Sequence, residues 1–379
     1  MSSTRLGELR SELEQWLAEN RPRAEALSSA ALRPMAAGPY LAAQKEFQAW
    51  LYAEGWLSRG WASELGGTGE AVQLRAAIYD LFGASGIYMP TTVNSVEILG
   101  PALGEFAPDL AVEFVPRLVS GAEAWCQGFS EPEAGSDLAS LRMRATRSDD
   151  GWVLNGQKIW ATRAWGSDRC MALVRTGIQE SRHRGLTMFL VDMDASGVEC
   201  RAIDDMSGTQ HFGEIFFEDV VVPDSRRIGD VDGGWAIAQY LLQWERGMFA
   251  WLRQAALHGI LARLEIGDDP VALDRFGAAF QDVSALRLRA LSTLRALAAG
   301  RSDGPQVSID KLLLSRAERS THELANALRP VAVDDGSESW AEHLHEYLHS
   351  RSAPIYGGSA EVQRTIIAGQ ILALGKGGR

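Results

Sequence analysis

Glu245 stands where an acid can do proton chemistry. Its neighbours a helical turn away on either side are Leu241, Leu242, Met248 and Phe249, and the next turn adds Leu252. A carboxylate on such an apolar stripe faces the core or a ligand and not water. Burial disfavours its charged form and raises its pKa toward the value a general base needs. The alternative is a structural acid paired with Arg246 or another arginine, since a buried glutamate is rarely left without a partner. A second constellation is WCQGFSEPEAGSD at 125–137. Pro132 disfavours helix at Glu131. Gly135-Ser136-Asp137 is a turn with small side chains, and its exposed backbone N–H groups can approach a planar ring or a pyrophosphate closely. A third is His345-Glu346-Tyr347-Leu348-His349, an H-E-x-x-H pattern that on one helix face would suit zinc. No histidine follows to complete a three-His site, and the only later acid is Glu361. We read that pattern as a chance match on a helix.

The elements that must carry these residues fall in blocks. A chain of 379 residues can bury a sizeable core in two or three subdomains. Residues 1–120 read as an N-terminal helical domain, with Leu9, Leu13, Trp16 and Leu17, then Phe47, Leu51, Ala53 and Trp56, at helical spacing. The period changes over 121–228. Strand candidates there include 141–145, 152–154, 158–160, 171–174, 187–191 and 214–217, and Asn155-Gly156 reads as a two-residue hairpin turn. Residues 229–379 return to helical spacing, with breaks at 267–270, 300–305 and 333–336, which gives four long helices in a bundle. Helices, then strands, then helices, without βαβ alternation, predict an α+β fold. No G-x-G-x-x-G or Walker A loop supports a dinucleotide or P-loop enzyme. A formal net charge of −12 excludes a nucleic-acid binder that needs a basic stripe. Three widely spaced cysteines suggest no disulfide framework, and the charged N-terminus does not read as a signal peptide. With no apolar run long enough to cross a bilayer, the expected location is the cytoplasm, off the membrane.

Two loops together carry a resemblance. The first is Ser130-Glu131-Pro132-Glu133-Ala134-Gly135-Ser136-Asp137. The second, one β-hairpin later, is Gly156-Gln157-Lys158-Ile159-Trp160-Ala161-Thr162. They resemble S/T-E-P-x-A-G-S-D and G-x-K-x-W-x-T, the flavin-contacting stretches of the acyl-CoA dehydrogenase family. Trp61-Ala62-Ser63-Glu64-Leu65-Gly66-Gly67 resembles the family's W-P-x-E-x-G-G connector, and 355–364 resembles G-G-T-x-E-I-Q-R. The resemblance runs from Trp61 to Leu374. It implies an N-terminal helical domain, a middle antiparallel β-barrel and a C-terminal four-helix bundle. It also implies FAD as cofactor and α,β-desaturation of an acyl-CoA as the reaction. Gln127, Phe129 and Ser130 would line the isoalloxazine, Trp160 would cover one face and Thr162 would reach N5. Ser136 would touch the flavin or the CoA arm, and Ser359 and Glu361 the adenine and pyrophosphate side.

In many relatives the base follows the tyrosine of the C-terminal motif, where this chain has Gly357. Others place it in an L-x-x-E-R context, which here is Leu242-Gln243-Trp244-Glu245-Arg246. The resemblance therefore implies that Glu245 takes the pro-R α-proton and that the β-hydride goes to flavin N5. The Gly357 N–H and a flavin ribityl hydroxyl would hold the enolate oxygen. Arg246 and Gly357 would flank the substrate, and the small residue at 357 would admit a branched or bulky acyl group. An electron-transfer flavoprotein is the implied acceptor, and a homo- or hetero-oligomer the implied assembly. The stretches that hold the FAD adenosine across a subunit interface, R-x-x-F-G and Q-x-x-G-G-x-G, are not clear here. Arg275-Phe276-Gly277 echoes the first and 328–336 stands in place of the second. Three alternatives follow: a flavin oxidase or monooxygenase of the same fold, a mainly structural subunit of a heteromeric dehydrogenase, and, distantly, a zinc hydrolase.

Overall fold

The computed structural model describes residues 3–32, 37–301, 304–330 and 337–374. The break expected at 333–336 lies outside them. Five helices come first: α1 (Ser3–Leu32), α2 (Ala37–Ala53), α3 (Val72–Ala84), α4 (Thr92–Phe106) and α5 (Pro108–Val119). Eight strands follow: β1 (Trp125–Gly128), β2 (Arg144–Ser148), β3 (Gly151–Thr162), β4 (Arg169–Arg175), β5 (Leu186–Asp192), β6 (Val198–Ile203), β7 (Phe212–Val222) and β8 (Arg227–Ile228). Then come α6 (Gly234–Trp244), a π-helical turn over Glu245–Phe249, α7 (Ala250–Arg263), α8 (Pro270–Ala298), α9 (Val307–Leu328), α10 (Glu338–His349) and α11 (Ala360–Ile366). Among the described residues, no helix is long and apolar enough to cross a membrane.

The helix–strand–helix order agrees with the expected α+β fold. The strand path is β6-β7-β3-β2-β4-β5-β8, with β1 added beside β4. Most pairs are antiparallel, but β1 pairs with β4 in parallel and β2 touches β4 through one parallel bridge. The expected antiparallel barrel is thus a mixed sheet whose pairing path has two ends. The hairpin expected at Asn155-Gly156 is not there. The turn falls at Asp149-Asp150, and β3 runs unbroken from Gly151 to Thr162. Asn155-Gly156 instead lies opposite a register shift in which β7 carries the extra residue, with Asp219 at φ +51°. Gly156 has φ +141° there, and a Cβ on it would press within 2.9 Å of Met143. Glycine is required by the positive φ and the close approach of Met143, which the same dipeptide signals as readily as a turn.

The core runs through all three blocks. Trp16, Trp50, Trp56 and Phe82 from the first helices form one aromatic cluster, with Trp16–Trp50 centroids 5.1 Å apart and Trp56–Phe82 5.4 Å. The same buried set continues into Met248, Trp251, Leu257, Val283, Leu286 and Leu314 of the C-terminal helices. A second set joins α4, α5 and α6 to β4 and β5 through Phe114, Leu173, Met188 and Leu241. The chain therefore fixes α6 against both the sheet and the first helices. At the expected break before α8, Asp269 accepts hydrogen bonds from the Val271 and Ala272 N–H groups and Pro270 takes the first helical position.

Candidate active site

The two loops are clasped by one buried ion pair. Lys158 on β3 has no solvent exposure and Glu131 is 8% exposed; Nζ lies 2.8 Å from Glu131 Oε1 and donates also to the Phe129 carbonyl at 3.1 Å. The Glu131 carboxylate accepts two more bonds, from the Arg142 N–H at 2.6 Å and the Met143 N–H at 3.0 Å. The Ile159 N–H donates to the Ser130 carbonyl at 2.9 Å. Burial pulls the Lys158 ammonium below its ordinary range, with Glu131 opposing. Glu131 and Lys158 were missed as site residues although both stand inside the quoted motifs.

This clasp sets the next residues. Past Lys158 the β3–β7 register slips again, and Trp160 takes φ +60°. A left-handed conformation is costly for a bulky residue and marks a local constraint. It turns the indole outward, 57% exposed, with Phe212 edge-on beside it at 6.0 Å. Gln127, Ser130 and Thr162 are partly buried, and their side chains make no hydrogen bond among the described residues. Nothing stands within 4 Å of where a Cβ on Gly135 would lie. Ser136 is exposed and Phe129 is buried. An open indole face beside unpartnered polar groups and a clear turn fits a flat ligand with hydrogen-bonding edges, as FAD has.

Glu245 sits at the start of the π-helical turn, a break in regular helix that often accompanies function. Leu241 and Met248 are fully buried beside it. Its carboxylate points at Gly357. A Cβ on Gly357 would fall on Glu245 Oε1, 3.4 Å from Cδ and 3.7 Å from Lys311 Cε. Among the described residues the carboxylate has no hydrogen bond and no ion pair. Burial pushes its pKa up, and the charges of Arg246 and Lys311 oppose this. Arg246 turns instead to the Gly357 carbonyl, Nη2 to O 3.4 Å. The Gly357 N–H has no backbone acceptor among the described residues. Gly357 itself has φ +61°. Gly357→Ala is therefore expected to cost about 1 to 3 kcal/mol in unfolding free energy and to displace the Glu245 carboxylate. Urea unfolding of the variant beside its parent checks this.

Rings join the two sites. Phe212 meets His211 at 4.8 Å between centroids, His211 meets His349 at 5.1 Å, and His349 stacks on Tyr356 at 6.2 Å. Tyr356 in turn meets Phe249 at 6.2 Å. The path from Trp160 thus reaches Tyr356, next to Gly357, and Phe249, one helical turn after Glu245. The residues of the H-E-x-x-H pattern make other contacts. His345 faces Ser207 Oγ at 3.0 Å, and His349 belongs to the ring stack. Glu346 turns to Arg253, 3.3 Å away, whose guanidinium also holds Glu318. Arg253 holds the Glu346 carboxyl well below the usual carboxylate range. Among the described residues no three His, Cys, Asp or Glu side chains gather as a metal site.

Ser359 and Glu361 are not drawn into either group by any hydrogen bond or ion pair among the described residues. Ser359 caps α11 through the Val362 N–H, and Glu361 is exposed beside Arg364 at 3.3 Å.

Residues 126–220 match the model of the family described as acyl-CoA dehydrogenase, middle domain, and 232–372 that of acyl-CoA dehydrogenase, C-terminal domain. The chain is 36% identical to acyl-CoA dehydrogenase IpdE1 of Mycobacterium tuberculosis, over 97% of each chain. It is similar to the ChsE4-ChsE5 complex from Mycobacterium tuberculosis, with TM-score 0.78 and 25% identity over 99% of both chains. The FAD complex of PigA shares the fold, with TM-score 0.80 at 20% identity over 99% of both chains.

Proposed function

We propose that this chain, which belongs to the acyl-CoA dehydrogenase family, desaturates an acyl-CoA between its α and β carbons with Glu245 as the base. The observation that carries this reading is the Glu245 carboxylate: partly buried, aimed at Gly357, and without a hydrogen bond or ion pair among the described residues. An ion-paired structural acid would have one, and a carboxylate already held by hydrogen bonds is a poor base. The acid takes the α-proton onto Oε1 or Oε2, and the raised pKa makes the transfer easier at neutral pH. The Gly357 N–H is free to donate to the thioester oxygen as negative charge builds on it. FAD, when bound, supplies the acceptor for the β-hydride. Gln127, Ser130 and Thr162 would hold its polar edge and Trp160 would cover a face. Ser136 would meet the flavin or the CoA arm, Ser359 and Glu361 the adenine side, and Arg246 would flank the substrate. These residues would hold and orient the flavin and the substrate.

We assign an electron-transfer flavoprotein as acceptor and the cytoplasm as location. An oligomer fits the exposed Leu288, Ile355, Leu372 and Leu374. The missing adenosine motifs leave room for a second chain to complete the FAD site.

The purified protein is expected to be yellow, or to become so on reconstitution with FAD. Anaerobic mixing with acyl-CoAs of graded size should bleach the flavin band with at least one of them. A protein that takes up no FAD, alone or with a partner chain, removes this reading. Bleaching by a substrate that is not a thioester moves it to the oxidase branch of the fold.

A further inference from the structure

We infer that Lys311 is a positioning residue for Glu245: its buried ammonium braces the turn that seats the carboxylate and supplies the positive charge the carboxylate faces across Gly357. The inference rests on Glu245 being the base. Lys311 lies on α9, only 2% exposed, and Val307, Ser308, Leu314 and Ser315 around it on the same face are buried too. An ammonium so placed is costly unless its surroundings compensate the charge. Its Nζ donates to the Ala353 carbonyl, which also accepts from Ser315 Oγ at 2.8 Å. The ammonium sits 3.9 Å over the centroid of Tyr356, a cation–π contact. Both contacts grip the segment that leads into Gly357. On its far side the same lysine has Cε 3.7 Å from the space where a Gly357 side chain would be, and Glu245 Oε1 fills that space.

The two charges oppose each other without a salt bridge. No Glu245–Lys311 pair within 4.0 Å is found among the described residues. A direct ion pair would occupy the lone pairs that must receive the proton. A cation held just beyond contact keeps the carboxylate charged and leaves it open. The other charges about this pair are Arg246, turned to the Gly357 carbonyl, and the carboxylates of Asp310 and Glu318 farther out; the Tyr356 phenol is the remaining titratable neighbour. Burial draws Lys311 down to about 8, against the pull of Glu245 and Glu318, so it remains mostly charged at neutral pH.

The test follows the Glu245 proton directly. The infrared band of the protonated carboxyl, assigned by its disappearance in Glu245→Gln, is titrated in the flavin-loaded protein without substrate. In Lys311→Met its midpoint should rise by about one pH unit or more. Lys311→Arg should bring it back toward the parent. Lys311→Gln keeps a donor for Ala353 without the charge, and it should shift like Lys311→Met. This variant decides the matter if Lys311→Met does not fold. The acidic limb of flavin reduction by a reactive acyl-CoA should move with the band. An unmoved midpoint in folded Lys311→Gln overturns the inference. Normal reduction by Glu245→Gln overturns the base assignment itself, independently of where the band titrates.

Discussion

Glu245→Gln is expected to slow reduction of the bound flavin by acyl-CoA about 10²- to 10⁴-fold, or roughly 3 to 5 kcal/mol of barrier. The amide keeps the shape of the side chain but cannot take the α-proton. Flavin binding should survive, because Glu245 lies on the helix facing Gly357 and not in the 127–137 and 158–162 loops. The expected melting behaviour is equally specific. The carboxylate makes no ion pair within contact among the described residues, so its neutral replacement breaks no direct contact, although the Lys311 ammonium loses the charge it faces across Gly357. Burial already opposes its charge. The two effects offset, and the melting temperature should change little. Stopped-flow absorbance under anaerobic conditions, beside a melt of the same preparation, reads both effects. Near-normal reduction with a lowered melting point would sink Glu245 as the base.

Lys158→Met should be the most damaging substitution for stability. It leaves the Glu131 carboxylate buried with two backbone N–H groups and only the more distant Arg175 guanidinium as countercharge. Removing one partner of such a pair typically costs about 3 to 5 kcal/mol, far more than the pair itself contributes against an apolar substitute. The double variant Lys158→Met with Glu131→Gln removes both charges and should recover much of the loss. Urea unfolding of the parent, Lys158→Met, Glu131→Gln and the double variant gives the coupling. A single variant within about 1 kcal/mol of the parent would mean that the pair is not the clasp between the loops. Flavin affinity should fall with it, since Ser130 and Trp160 take their places from that clasp.

Much of this architecture is legible in the chain. The order of helices and strands follows from the change of period near 121 and again near 229. The Glu245 stripe is legible because four apolar neighbours at helical spacing are enough to place a carboxylate. The same arithmetic would have found Lys311, flanked by Val307, Ser308, Leu314 and Ser315, but charge on a helix is usually solvated and the stripe there is less apolar. The π-helical turn at Glu245 is not legible, because nothing in the local residue types distinguishes it from regular helix. Asn155-Gly156 misleads because a strand glycine at positive φ against Met143 asks for the same backbone freedom as a tight turn. The Glu131–Lys158 clasp needs the fold, since 27 residues separate partners that only the strand pairing brings together. The two histidines of 345–349 match a metal pattern in sequence, yet Glu346 is spent on Arg253 and the rings on stacking.

The contact between Glu245 and the bare backbone of Gly357 also constrains descent. Relatives that keep their acid after the tyrosine have a side chain where this protein has none. Here that space already holds a carboxylate, so the two arrangements exclude one another. An ancestor passing from one to the other by single substitutions meets either a crowded pocket, where two acids share one place and resist ionising together, or an empty one with no base. Either intermediate is disfavoured, and the crossing is easiest where a duplicate gene, or a second subunit carrying the activity, sustains the cell meanwhile. Restoring the other arrangement in the laboratory should accordingly require Gly357→Glu and Glu245→Gly together, with each alone worse than the pair.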